Sequence, residues 1–170
     1  MSDFTKAPKQ IIIDLINVAN PGLNLLATEV DFGSVAVETE PANTSVVLTP
    51  TVSGRFTGSP KIYYDRLSMA EVFATKTAAV EKTDLLTNVD DVISAINSLY
   101  GINLTSDDYT ISEFPTWANV VDEEHTLTIT AKADSLIFID AADVKLFKTK
   151  MDLTMAIANN QLNGLIYEPN

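Results

Sequence analysis

His125 is the one histidine of the chain, and it stands directly before the alternating run Thr126–Thr130, after the acidic triplet Asp122-Glu123-Glu124. A transition-metal site around it would have to be completed by carboxylates, because the chain has no second histidine, no cysteine and no H-E-x-x-H spacing. A serine nucleophile would be announced by a G-x-S-x-G elbow, which is absent. The expectation is therefore a solvent-exposed bystander at a strand start and no catalytic centre.

The stretch SGRFTGSP, residues 53–60, carries Gly54 and Gly58 and superficially resembles a phosphate loop. It lacks the G-K-[ST] ending, and no helical pattern follows that could aim its N-terminus at a phosphate. It reads as the loop of a hairpin, with Arg55 and Phe56 at an exposed tip as candidate protein contacts, since both residue types are enriched at interfaces. Asp107-Asp108, Asp122-Glu123-Glu124 and the set Asp134, Asp140 and Asp143 could offer oxygen ligands to calcium, but none has EF-hand spacing. Acidic groups beside strands are expected to stay solvated. Trp117, in FPTWANVV, is expected to fill core or to anchor an interface. No catalytic, cofactor-binding or metal residues are assigned, and no cofactor is expected.

These residues sit in a chain of 170 residues, enough for one ordinary domain or two small ones of about 80. Without cysteine there is no disulfide framework and no thiolate nucleophile. No apolar run approaches the ~20 residues that cross a bilayer, and no signal-peptide pattern opens the chain, so synthesis in the cytoplasm is expected. The formal net charge of −12 disfavours direct contact with nucleic acid or anionic lipid. The charge is unevenly divided: residues 1–79 carry 6 basic and 8 acidic groups, whereas 80–170 carry 5 and 15.

A near-repeat organises the chain. PGLNL at 21–25 and YGINL at 100–104 share a Gly-apolar-Asn-Leu tetrad at an offset of 79, and each follows an apolar stretch containing Ile-Asn. Ile12, Leu15, Ile16 and Ala19 mark one helix, ended at Asn20-Pro21-Gly22. Val89, Val92, Ile93, Ile96, Leu99 and Tyr100 mark a second, capped by Asn88 or Asp90 and stopped by Gly101. Asn24 and Asn103 are expected to bond neighbouring backbone, with Leu25 and Leu104 plugging the core. β-Rich stretches follow each tetrad: TSVVLTPTVSG and PKIYYDRL in the first half, HTLTITAKA, SLIFI and DVKLF in the second. Between the copies Ser68 and Glu71 have capping-box spacing. The expected fold is thus α+β: two tandem small units, each a helix followed by an antiparallel β-sheet, joined by a short helical connector. The first unit spans 1–79, the connector 80–88, and the second, acidic unit with a C-terminal helix and tail 89–170.

The helix ending in Ile-Asn, the tetrad, and above all the stretch Thr44–Leu67 with T-S-V-V-L-T-P, G-x-F-T-G-S and Y-Y-D-R-L resemble repeat-bearing virion structural proteins of large tailed bacteriophages. The likeness covers about 60 residues of the first half well and the second half weakly, because GRFTGS has no equivalent there. It implies a non-enzymatic assembly protein of the capsid surface, neck or tail, made in the host cytoplasm, present in many copies and bound to other virion proteins. The competing expectation is a carbohydrate- or receptor-binding module, for which Tyr63, Tyr64, Tyr100 and Trp117 are the available aromatics.

Overall fold

The computed structural model describes residues 3–51, 55–76, 78–81, 88–117 and 123–148. The expected C-terminal helix and tail, Val52 and Asp122 lie outside them. The protein is α+β.

Helix α1, Pro8–Ala19, places Pro8 at its start, where a missing N–H is harmless, and buries Ile11, Ile12, Ile13 and Ile16. Leu15, expected on the buried face, is 43% exposed, because the triple isoleucine shifts that face toward its N-terminal half. Past Asn20 the chain turns through a 3₁₀ segment, Ala27–Glu29, into β1, Val30–Phe32. The short β2, Ala36–Val37, follows, and then β3, Thr44–Pro50, and β4, Lys61–Tyr64. The central β3 pairs antiparallel with β4 on one side and with β1 and β2 on the other. Phe32 faces Leu48 while Ala36 faces Ser45. One more residue is thus spent on the β1–β2 edge than on β3, a bulge at which Gly33 N–H donates to the Val47 carbonyl (2.8 Å). Val46 and Leu48 point into the core, as their alternation predicts.

Next come β5, Leu67–Ser68, and the six-residue helix α2, Met69–Ala74. Ser68 is its N-cap residue but makes no side-chain capping bond, so the expected capping box is not formed. Ser68 is already engaged in β5, which pairs parallel with β9, Phe138–Ile139, of the other half. After β6, Ala79–Glu81, helix α3 spans Val89–Tyr100. It is capped by Asn88, whose side chain accepts from Asp91 N–H while the Asp91 carboxylate accepts from Asn88 N–H. Strand β7, Tyr109–Ile111, then β8, Glu123–Ala131, and β10, Ala141–Lys148, complete a sheet ordered β6-β10-β8-β7, antiparallel except for the parallel β6–β10 edge. The boundary expected at residue 79 thus falls at the start of a strand. Helix α2 lies on β10 and α3 beside β6, with the Tyr100 ring stacked on Phe73 at 4.8 Å.

The two turns after α1 and α3 share their hydrogen bonding. Asn17 Nδ2 donates to the Leu25 carbonyl (2.8 Å) and its Oδ1 accepts from Leu25 N–H (2.7 Å). Asn97 does the same to Leu104, at 3.0 and 2.8 Å. Further on, Leu26 N–H donates to the Glu29 carboxylate and Thr105 N–H to the Asp108 carboxylate, again 79 residues apart. Leu25 and Leu104 are buried, as expected. The asparagines that hold them are those of Ile-Asn and not those of the tetrad. Asn24 and Asn103 make only marginal contacts, to Gly22 (3.4 Å) and Lys6 (3.5 Å).

Gly101 ends α3 in the left-handed region, φ 65° and ψ 43°, so that its N–H and that of Ile102 both return to the Asn97 carbonyl. Gly22 also has positive φ, 90°, but sits in the turn beyond the helix, whose last residue is capped by Asn20.

Candidate functional site

The loop expected to project at residues 55–56 folds down instead. Arg55 Nε donates to Glu29 Oε1 (2.9 Å), and its Nη2 donates to the Leu23 carbonyl (3.1 Å) and to the Asn24 carbonyl. The guanidinium also lies over the Phe56 ring, 4.7 Å from its centroid. Phe56 is half-buried against the core and not an exposed tip, because the first tetrad offers free carbonyls and Glu29 a charge that draw Arg55 back onto the body. The carboxyl of Glu29 is held below its ordinary value, first by the Leu26 N–H and then by Arg55. The Arg55 side chain remains 53% exposed.

Beneath this arm lies a largely apolar cavity of about 280 Å³, open on one side. Ile16, Leu25, Val30, Leu48, Phe56 and Ile62 form much of its wall, with Thr57 and Gly58 at its rim. It therefore joins the end of α1, the first tetrad and the inner face of the first sheet.

Trp117 belongs to the other half. It is half-buried and meets the His125 ring edge-on at 4.7 Å. His125 Nε2 lies 2.7 Å from Glu123 Oε1, and its side chain is 29% exposed. The histidine is thus a packed, paired group and not the free bystander expected, since the indole covers one of its edges. Of the acidic sets, Asp143 accepts from Thr128 Oγ1 (2.7 Å), and Glu124 pairs with Lys145 (2.8 Å) on the surface. Among the described residues no three His, Cys, Asp or Glu side chains stand together in a way that could hold a metal ion. The expected contact residues are not brought together: Arg55 and Phe56 border the first sheet, and Trp117 packs on β8 of the second.

Two polar groups missed in the sequence are buried, and the first of them holds the halves to each other. Arg66 is only 7% exposed, and its Nε donates to Thr44 Oγ1 (2.8 Å) while Nη1 donates to the carbonyls of Ala133 and Ser135, each at 3.1 Å. Burial lowers its affinity for the proton, with Tyr64 and Asp140 opposing. Asp108 is buried too, accepting from Thr105 and from Ser135 Oγ (3.1 Å). An arginine closing the otherwise strand-like YYDRL was the available signal for the first; nothing in SDDY distinguishes Asp108 from Asp107.

The whole chain, residues 1–170, matches a family of unknown function, DUF7941. The chain belongs to that family. No curated protein and no solved structure matches it. No helix among the described residues is long and apolar enough to cross a membrane.

Proposed function

We propose that this member of DUF7941 is a non-enzymatic structural protein that acts by assembly, as a multi-copy component of a tailed-phage particle, and that its two halves are copies of one α+β unit. The observation that carries the assembly reading is where the exposed apolar side chains lie. Among the described residues every exposed large hydrophobic falls between positions 15 and 63: Leu15, Val18, Leu26, Val37, Val47 and Tyr63. That is the near-neutral half, with 6 basic against 8 acidic groups in residues 1–79. The half with 15 acidic groups against 5 basic exposes none among its described residues. Apolar surface without like-charge repulsion suits burial against protein, and a strongly acidic surface suits solvent. The duplication is supported by the paired turns, whose equivalent hydrogen bonds recur 79–80 residues apart. The virion setting rests on the resemblance of Thr44–Leu67.

A carbohydrate- or receptor-binding module would expose an aromatic platform, and Tyr63 is the one exposed aromatic among the described residues. Val47 and Tyr63 share the outer face of the first sheet, beside the Glu38–Lys61 pair. The double variant Val47→Asp/Tyr63→Asp changes that face alone. Its copy number in purified particles should fall steeply while its thermal midpoint stays near that of the parent. Normal incorporation would put the contact on another face, and a chain absent from particles altogether would end the virion reading.

A further inference from the structure

An open sheet presents backbone groups along its edges, and this protein guards its edges unequally. On the β1–β2 side of the first sheet the bulge at Gly33 interrupts the row. In the second sheet α3 lies beside β6, and the three-residue β7 is flanked by the exposed carboxylates of Asp107 and Glu113. Strand β4, Lys61–Tyr64, has none of these protections: among the described residues β3 is its one ladder partner, and the strand itself contains neither acid nor proline. Val46 stands opposite Ile62 and Thr44 opposite Tyr64, and the Leu48 N–H donates to the Pro60 carbonyl (3.0 Å). In that alternation Ile62 and Tyr64 spend their backbone groups on β3, whereas the N–H and C=O of Lys61 and Tyr63 point away from it. No described group bonds them. A lysine on an edge strand usually resists pairing, because its charge opposes burial against another strand. Here Lys61 is turned back across the sheet face: its Nζ donates to Glu38 Oε1 (2.6 Å), which also accepts from Ser45 Oγ, and the ammonium lies 5.1 Å from the centroid of the Tyr63 ring. Its charge is neutralised within the chain.

We propose that β4 pairs antiparallel with β4 of a second copy about a twofold axis at Ile62, joining the first sheets of the two copies into one. This rests on the assembly reading and deepens it, by naming another copy of the chain as one partner. The strand is self-complementary in that register. Lys61 exchanges both backbone bonds with Tyr63 of the second copy, and Tyr63 with its Lys61, so that every outward-facing backbone group of β4 is used. On the outer face each Lys61 stands opposite a tyrosine ring and not opposite another lysine. On the inner face Ile62 meets its counterpart, covering the β4 side of the apolar cavity whose wall Ile62 and Pro60 help to form. Any extended strand could supply the backbone bonds; what favours a second copy is this match of side chains on both faces. A contact of four residues from each chain is smaller than a stable dimer needs, so the pair is weak in dilute solution and suits a protein present in many copies.

Sedimentation of the full chain between about 5 µM and about 1 mM should show monomer passing into dimer. Tyr63→Pro removes an outward N–H while leaving the β3 ladder its bonds, since proline is tolerated on an edge strand. It should weaken the dimer at least about ten-fold with the thermal midpoint little changed. Because the chain has no cysteine, Ile62→Cys places a single thiol on the proposed axis, where facing Cα atoms lie ~4.5 Å apart, within reach of a disulfide. Its disulfide-linked dimer should form at least about ten times faster than that of Thr49→Cys, exposed on the outer face of β3. A monomer at every concentration, a dimer indifferent to Tyr63→Pro, or equal cross-linking rates would each overturn the pairing. If Tyr63→Pro unfolds the chain, the cross-linking comparison decides alone. The assembly reading would survive all of these, since it is judged on copy number in particles.

Discussion

Asn17 and Asn97 each close a turn with one side-chain amide, donating to and accepting from the same leucine backbone. A two-way bond of this kind has no substitute once a core leucine has removed water from the turn, so truncation leaves a donor and an acceptor unpaired. Asn97→Ala and Asn17→Ala should each destabilise by about 1–3 kcal/mol in urea unfolding. Asn24→Ala and Asn103→Ala, losing only marginal contacts, should change stability by less than about 0.5 kcal/mol, although Asn24 itself has φ 47°. Gly101→Val has ample room, with nothing within 4 Å of an added Cβ, yet the left-handed conformation at φ 65° opposes a β-branched residue. A loss on the order of 1 kcal/mol or more is expected, measured the same way. Tyr64 carries a different burden: its hydroxyl is buried and has no hydrogen-bond partner among the described residues, and burial pushes its pKa up to about 12, with Arg66 opposing. The folded state thus holds the proton more tightly than the unfolded chain at its ordinary value of 10.0. That share of stability is complete below pH 10 and is lost as pH rises through about 12. Tyr64→Phe should remove this alkaline loss, as read from thermal midpoints between pH 9 and 12, with little change near neutrality.

Between the elements, Arg66 does what a longer strand would do elsewhere. Strand β5 and its parallel partner β9 contribute only two residues each, and the guanidinium beside them ties Thr44 of β3 to the loop carbonyls before β9. Replacing it with methionine keeps the stem but strands two carbonyls that its Nη1 now serves. Arg66→Met should destabilise by roughly 3 kcal/mol or more, and Arg66→Lys should recover only part of it, since an ammonium cannot present the same planar fork. Of this the sequence offered only an arginine closing the strand-like YYDRL and none of its partners, whereas the elements themselves were largely legible. The periodicity of α3, its Asn88 cap and its Gly101 stop are local facts, set by residues within a few positions of one another. So are the alternations Val46/Leu48 and Leu127/Ile129. Three of the failures share a cause: Phe56, Ser68 and His125 were each decided by a residue remote in sequence. For Phe56 it is Glu29 acting through Arg55, for Ser68 it is Ile139, and for His125 it is Trp117. The repeat pointed to the right turns but the wrong asparagines, because spacing reveals that a position matters and not which backbone its amide reaches.

At the scale of the molecule the question is whether the two halves unfold as two bodies or one. Helix α1 and the first sheet share a cavity wall, and α3 lies beside β6 of the second, so each half has a core of its own. Those cores are nevertheless continuous: buried Ile11 and Ile12 of the first half line a hollow together with buried Ile137 of the second. Across the same seam run the β5–β9 pair, the Arg66 bonds to Ala133 and Ser135, and the Leu67 N–H to Ile137 carbonyl bond at 2.8 Å. Separating the halves while both stayed folded would expose apolar surface and leave a buried cation without its acceptors, a penalty of several kcal/mol set against a typical total of 5–15. Unfolding one half alone is therefore unfavourable, and the transition should be single. Scanning calorimetry should give one peak whose van't Hoff and calorimetric enthalpies agree, with a total on the order of 100 kcal/mol at about 0.7 kcal/mol per residue. Arg66→Met should lower that one midpoint, whereas in a molecule of loosely tethered halves it would split the peak. Two resolved transitions in the parent protein, or a calorimetric enthalpy about twice the van't Hoff value, would show that the two halves are thermodynamically separate domains and that the seam is only an interface between them.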